Sequence, residues 1–182
     1  RFVPHFHIPL QSGSDILLKS MRRRYNTELY KSRIEKIKDL MPKACIGVDV
    51  IVGYPGETEE EFNKTVHFLK SLPISYLHVF TYSERANTTA PRMGEIVPME
   101  ERRKRSKQLR ILSLKLKQQF YQNNLGKTEK VLLENQEDGY HYVFTENYVK
   151  VKLPAQKVKK NEIVSVKLNE INNDFEVLSI LV

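Results

Sequence analysis

The sequence predicts a mixed α/β protein in two parts: over residues 1–125 one half of a parallel-stranded α/β barrel, and over residues 126–182 a small five-stranded all-β barrel. Three observations carry this reading. Up to residue 125, apolar β-branched runs alternate three times with helix-periodic segments, an order that requires crossover connections and therefore a parallel sheet. After Gly126 the texture changes to short β-rich runs joined by polar turns. The charge changes at the same place. Residues 1–125 hold 22 Lys and Arg against 13 Asp and Glu, a net +9, whereas residues 126–182 hold 8 against 9, a net −1.

Residues 2–10 read as the first strand, followed by a helix start at Ser14-Asp15 ahead of Ile16, Leu17, Leu18 and Met21. Thr27 is placed to cap a second helix, whose Tyr30, Ile34, Ile37 and Met41 recur at intervals of three or four and which stops at Pro42. Cys45 to Val52 is a buried-strand pattern. Thr58-Glu59-Glu60-Glu61 is a capping-box pattern opening a helix striped by Phe62, Val66 and Leu69, which Pro73 ends. Tyr76 to Tyr82 forms the third strand. A polar segment from Ser83 to Val97 leads into a long helix from Pro98 to Asn124, with proline at its start and Gly126 just past its end. Three parallel strands leave open edges, so a larger sheet is expected in the intact protein. The five later strands are predicted at 130–134, 141–145, 148–153, 163–169 and 175–181, with hairpin turns at Gln136-Glu137-Asp138-Gly139 and Asn172-Asn173-Asp174.

Composition narrows the class further. At 182 residues, 40% hydrophobic and 29% charged, the chain has no apolar run long enough to span a bilayer, and no signal peptide is visible. The single cysteine, Cys45, can form neither an internal disulfide nor a Cys-rich metal site by itself, which fits a reducing, cytoplasmic compartment. The chain opens on Arg1 and enters at once into a strand, so further sequence is expected upstream.

In α/β barrels the chemistry gathers at the carboxyl ends of the strands. The three strand ends here are Gln11-Ser12-Gly13-Ser14, Gly53-Tyr54-Pro55-Gly56-Glu57-Thr58 and Tyr82-Ser83-Glu84-Arg85. Gln11 and the serines offer donors and acceptors for ribose hydroxyls and a carboxylate. Ser14 reads foremost as a helix cap, whereas no cap requires a glutamine, so Gln11 reads as a ligand contact. Gly53 and Gly56 could admit a planar base against the backbone, and a tight turn explains them equally well. Asp49 is the one charged residue of an apolar strand and needs a partner, either a structural one or a role at the site. His5 and His7 alternate to one face, but no further ligand stands at metal spacing, and hydrogen-bonded histidines are the favoured reading.

Two basic features point to a polyanion. The long helix carries Arg102, Arg103, Lys104, Arg105, Lys107, Arg110, Lys115 and Lys117 around a buried stripe of Leu109, Leu112, Leu116 and Phe120. Charge alone suggests a solvated face; its position before a β-barrel tips the reading toward RNA. In that barrel Tyr148, Lys150 and Lys152 alternate onto one face, and Lys157, Lys159 and Lys160 cluster in the next loop, a combination suited to single-stranded RNA.

Taken in order and spacing, His7-Ile8-Pro9-Leu10-Gln11-Ser12-Gly13-Ser14-Asp15, Met21-Arg22-Arg23-Arg24-Tyr25, Asp49-Val50-Ile51-Val52-Gly53-Tyr54-Pro55-Gly56-Glu57-Thr58 and Val79-Phe80-Thr81-Tyr82-Ser83 resemble the radical-SAM methylthiotransferases over essentially the whole chain. The resemblance implies the fourth to sixth strands of a TIM-like radical-SAM barrel, then an OB-like TRAM domain that binds transfer RNA. It implies that Gln11 and Ser12 lie by the ribose and methionine part of S-adenosylmethionine, that Ile51, Gly53 and Phe80 line its adenine, and that Ser14, Asp49 and Tyr82 belong to the same site. Arg102, Lys104, Arg105, Tyr148, Lys150 and Lys152 become the expected RNA contacts. No catalytic residue and no metal ligand is assigned within the chain. The cluster-binding cysteine loop and a second cluster domain lie upstream in the family, so two 4Fe–4S clusters are expected outside these residues and the isolated chain is expected to be inactive. One departure is Asn87, where the family has glycine. Leu77-His78-Val79-Phe80 leans toward the MtaB-like group, which adds a methylthio group to N6-threonylcarbamoyladenosine in the transfer-RNA anticodon stem-loop. The alternatives are the MiaB-like reaction on N6-isopentenyladenosine and a non-catalytic RNA-binding module.

Overall fold

The computed structural model describes residues 3–84, 95–134, 136–155 and 160–182. The chain divides into two compact units, one made of Phe6–Pro42 and Ile46–Leu116, the other of Arg1–His5, Lys43–Cys45 and Lys117–Val182. The sequence reading drew one boundary at 125/126. Arg85, Asn87, Lys157 and Lys159 lie outside the described residues.

The first unit is built on a sheet of order β1-β2-β3 (His5–His7, Cys45–Val52, Tyr76–Thr81), in which β2 and β3 run parallel. Four helices accompany it: α1 (Asp15–Ser20), α2 (Thr27–Leu40), α3 (Glu59–Ser71) and α4 (Met99–Gln122), the last running on into the second unit. Alternation along β2 divides its residues. Ile46, Val48, Val50 and Val52 are fully buried in a core with Leu10, Ile34, Phe62, Leu69 and Leu109, while Asp49 and Ile51 are only half-buried on the other face. Although β1 is short, the chain tracks β2 beyond it: Ile8 N–H bonds to Gly47 O (2.9 Å), and Ile51 N–H to Gln11 O (2.9 Å).

Cap chemistry sets the helix starts. Thr58 accepts from Glu61 N–H (3.2 Å) as the capping pattern predicts, and Ser14 accepts from Leu17 N–H (3.2 Å). The cap of α2 is Asn26 and not Thr27, because the Asn26 carboxamide already meets Leu29 N–H at 2.9 Å, leaving Thr27 as the first helical residue.

The second unit is a curled six-stranded sheet, β4 (Thr128–Leu132), β5 (Gln136–Glu137), β6 (Tyr140–Phe144), β7 (Lys150–Pro154), β8 (Ile163–Ile171) and β9 (Val177–Leu181), in the order β4-β8-β9-β7-β6-β5. Among the described strands only the β7–β9 pair is parallel, and a bridge from Val131 to Thr145 draws the two sides together. Five strands match the predicted ones. The sixth, Gln136–Glu137, falls where the sequence predicts a turn; pairing with Tyr140 and His141 shrinks that turn to Asp138-Gly139, both at positive φ (48° and 77°), the two-residue hairpin that a right-handed strand twist favours. Val143, Val149, Val151, Leu153, Val166, Leu168 and Val177 fill the interior and are fully buried.

Candidate functional site

The register of β2 and β3 sets Asp49 beside His78 and Ile51 beside Phe80. Their neighbours Val48, Val50 and Leu77 face the core, so Asp49, Ile51, His78 and Phe80 lie on the opposite face, where Phe80 is 54% exposed. His7 joins this face: its Nε2 is 2.6 Å from Asp49 Oδ1 and its ring is 5.0 Å from that of His78. The partner that Asp49 required is therefore a histidine from β1. The same pair accounts for His7 as a hydrogen-bonded group, and among the described residues no set of three His, Cys, Asp or Glu side chains could hold a metal ion.

Gln11 stands at the carboxyl end of β1 in a left-handed conformation, φ 76°. Leu10 N–H (3.1 Å) and Gln11 N–H (2.8 Å) both donate to Asp49 O, so two residues oppose Val50, as in a β-bulge. A bulge re-aims the side chain that follows it and is characteristic of sheet edges next to ligand sites. Gly53, at the end of β2, also has positive φ (76°), and Tyr82 N–H continues the ladder to Val52 O. The Tyr82 ring meets Tyr54 edge-on at 5.5 Å.

Ser12 and Ser14 do not share that exposed position. Ser12 is fully buried, its Oγ 3.2 Å from Thr65 Oγ1 and accepting from Ser14 N–H, and Gly13 N–H donates to the same threonine at 3.1 Å. Ser14 caps α1 and donates to Glu61 Oε2. The reason is proximity: a Cβ on Gly13 would stand 2.8 Å from Thr65 Cα, so this loop lies directly on α3 and spends its hydroxyls there. Both side chains, expected at a ligand, take part here in a loop-to-helix joint, and Ser14 forms the helix cap that was its foremost reading.

Glu61 reaches sideways to Lys64 (2.7 Å) and Ser14 instead of back to the cap amide. Lys64 first and Ser14 second hold its carboxyl below the usual range. A lowered folded pKa contributes stability that is present above the ordinary value of 4.5 and is lost as pH falls through the folded value. Ser14→Ala is therefore expected to cost about 1–2 kcal/mol at neutral pH, with the deficit narrowing toward the cap contribution as Glu61 protonates. Urea unfolding at neutral and acid pH measures both.

Two of the six expected RNA contacts are buried. Arg102 is 2% exposed; its Nε donates to Val97 O (2.7 Å), its Nη1 to Tyr82 O (2.9 Å), and the guanidinium forks onto Glu84. Arg105 is 5% exposed and donates to Glu57 O and Glu57 Oε2, both at 2.8 Å, with Glu101 and Glu59 beside it. Most of the N–H donors of each guanidinium are taken by carboxylates and carbonyls. Both arginines instead clamp the segments that follow β2 and β3. Glu57, 3% exposed, is pushed up by burial, opposed by Gly53 N–H (2.6 Å) and by Arg105. Lys104 does stay exposed, 3.5 Å from Glu101.

In the second unit Lys150 and Lys152 point outward from β7, between buried Val149, Val151 and Leu153. The facing β6 residues are aromatic: Phe144 opposes Lys150 and Tyr142 opposes Lys152. Lys152 Nζ lies 4.4 Å from the Tyr140 ring centroid and 5.4 Å from that of Tyr142, while Lys150 is partly neutralised by Glu176 at 2.7 Å. Tyr148 precedes the strand at φ 64° and lies parallel to both His5 (4.0 Å) and Phe144 (4.6 Å), making a three-ring stack. The sequence reading did not include Tyr140, Tyr142 and Phe144 on this face, although their alternation in Tyr140-His141-Tyr142-Val143-Phe144 marks one face of a strand.

Comparison with known proteins bears directly on this geometry. Residues 2–69 match the profile of the Radical SAM superfamily. The chain is 39% identical over 173 residues to the threonylcarbamoyladenosine tRNA methylthiotransferase MtaB of Bacillus subtilis, a match covering 92% of this chain and 38% of that protein. It is 40% identical over 157 residues to the protein of the same name from Aquifex aeolicus, covering 86% and 37%. The tRNA-2-methylthio-N(6)-dimethylallyladenosine synthase of Endomicrobium trichonymphae is 37% identical over 174 residues, covering 94% and 42%. The chain thus spans about two fifths of the length of the curated relatives it matches.

Proposed function

This chain belongs to the radical-SAM methylthiotransferase family, and on that premise we propose that it forms the S-adenosylmethionine-facing wall and part of the RNA grip of an enzyme that adds a methylthio group to N6-threonylcarbamoyladenosine in transfer RNA. The observation that carries the proposal is the β2–β3 register, which collects Asp49, Ile51 and Phe80 on one open face beside the Gln11 bulge.

The face suits an adenosine. Phe80 and Ile51 offer apolar surface to a planar base, the Asp49 carboxylate accepts hydrogen bonds, and the left-handed backbone at Gln11 and Gly53 allows close approach to peptide groups. Gln11, Asp49, Ile51, Gly53, Phe80 and Tyr82 are the residues that would hold the cofactor. Bound there, it supplies the radical chemistry that an unactivated aromatic C–H bond demands. The residues of this chain bind and orient. Its one cysteine, Cys45, is buried and does not fit as the ligand set of an iron–sulfur cluster, so the two expected 4Fe–4S clusters belong to other segments of the protein. The substrate is taken to be the anticodon stem-loop, and the compartment the cytoplasm. Lys104 and the β6–β7 face with Tyr148, Lys150 and Lys152 supply the RNA contacts, through phosphate attraction and through base stacking on the exposed Phe144 end of the ring stack that Tyr148 joins. No described helix is long and apolar enough to cross a membrane.

The test is a mass-spectrometric nucleoside profile of transfer RNA from cells with and without the gene that encodes this sequence. Loss of the methylthio form of threonylcarbamoyladenosine, with its precursor accumulating, is the expected result. Loss of the methylthio isopentenyl base would move the assignment to the MiaB-like reaction. No change in either would leave only an RNA-binding module.

A further inference from the structure

Three consecutive arginines, Arg22, Arg23 and Arg24, follow α1, and all three are exposed. None lies within ion-pairing distance of a carboxylate among the described residues, in contrast to the buried and paired Arg102 and Arg105. The acidic residues that flank them in sequence are Glu28, which is exposed and makes no ion pair with them, and Asp15, which accepts Thr27 N–H at 2.8 Å.

The backbone that presents them is constrained. Arg22 N–H donates to Lys19 O and Arg23 N–H to Leu18 O, both at 2.9 Å, and Met21 is the C-cap. This is a Schellman motif, and Arg22 occupies the position after the cap with φ 56°. That position favours glycine, because an L side chain in left-handed backbone crowds its own carbonyl. A long cationic side chain therefore sits where the fold by itself calls for none, and local strain of this kind points to a function for the side chain. Immediately afterwards, Tyr25 Oη donates to Leu10 O (2.9 Å) and Pro9 O (3.3 Å), fastening the arginine segment to the residues just before Gln11.

From this geometry we infer that Arg22, Arg23 and Arg24 form a phosphate-binding site for the RNA substrate at the rim of the Gln11 end of the sheet. The inference rests on the RNA reading given above. The three guanidiniums take phosphodiester oxygens by charge-assisted hydrogen bonds, and their place beside Gln11 holds the RNA backbone next to the face assigned to the cofactor. They carry no base specificity.

The experiment pairs thermal unfolding with fluorescence-anisotropy titration of an RNA stem-loop, at several salt concentrations, for the full chain and for two variants. Arg22→Gly is expected to raise the unfolding midpoint by about 2–4 °C, by relieving the left-handed strain, and at the same time to weaken RNA binding. The slope of log affinity against log salt should fall by about 0.7–0.9 for each phosphate that is no longer neutralised, and by roughly twice that in the double variant Arg23→Gln/Arg24→Gln. A more stable Arg22→Gly chain that binds RNA with an unchanged slope overturns the proposal, as does an unchanged slope in the double variant. A lower midpoint for Arg22→Gly also overturns it, since Arg22 would then serve the fold. If the unmodified chain binds no RNA, the broader RNA reading fails and this one with it.

Discussion

Replacing Arg105 with alanine is expected to lower the unfolding free energy by about 3–5 kcal/mol, the usual cost of stranding one member of a buried ion pair. The pair is Arg105 and Glu57, whose side chains are 5% and 1% exposed and whose Nη1 and Oε2 are 2.8 Å apart. Most of the loss should come from the orphaned carboxylate and not from the missing attraction, because burial already pushes the Glu57 carboxyl up even with Arg105 present. Simple loss of packing would differ in two respects. Glu57→Gln in the Arg105→Ala background should recover a large part of the deficit. The deficit should also depend on pH. A raised folded pKa means that the folded state holds its proton more tightly than the unfolded chain, so the contribution of this group is greatest below the ordinary value of 4.5 and declines as pH rises through the folded value. Without Arg105 the folded value rises further, and the gap between variant and parent should widen from acid toward neutral pH. Urea unfolding of the four members of the cycle, in acid and at neutrality, measures each of these effects. Function follows stability here, because Glu57 Oε2 also receives Gly53 N–H at 2.6 Å, and losing the clamp frees the turn at the end of β2.

The same two residues show what a sequence can and cannot disclose. Strands β2 and β3 and helix α3 were legible because their signals are local: β-branched runs, a Thr-x-x-Glu start, a proline stop. That Gln11, Ile51 and Phe80 share one rim was legible because strand ends in a parallel sheet gather there whatever the details of packing. The burial of Arg102 and Arg105 was not legible. On a helix with basic residues at nearly every turn, periodicity leaves open which of them face inward, and the deciding partners, Glu57 and Glu84, lie 48 and 18 residues away. The burial of Ser12 was hidden for a related reason. A hydroxyl beside a glycine suggests a ligand, yet Gly13 is there to let Thr65 approach. The aromatic half of the β6–β7 face was visible as an alternation, but it became a surface only once the antiparallel register set Tyr142 opposite Lys152.

Gly53→Ala is the other large effect, expected at about 2–5 kcal/mol from two separable sources. Left-handed backbone at φ 76° penalises any L side chain by about 1–2 kcal/mol. The new methyl group would also stand 2.3 Å from Arg102 Cγ and 2.7 Å from its Cδ, an overpacking cost of about 1–3 kcal/mol. A flexible arginine would swing aside, but this one is held at its head by Val97 O, Tyr82 O and Glu84 and cannot move without giving up those bonds. Combining Gly53→Ala with Arg102→Ala should therefore recover the overpacking part and leave the backbone part, because Glu84, 41% exposed, returns to water when its partner is gone. The direction of the clash also bears on what this glycine is for. A ligand-approach glycine and a turn glycine were equal readings of the sequence, and the missing Cβ points at Arg102. The glycine is required by the clamp, and any contact it makes with an adenine ring is made by its backbone. Coupling near zero in the unfolding cycle would sink that assignment and return Gly53 to the ligand side.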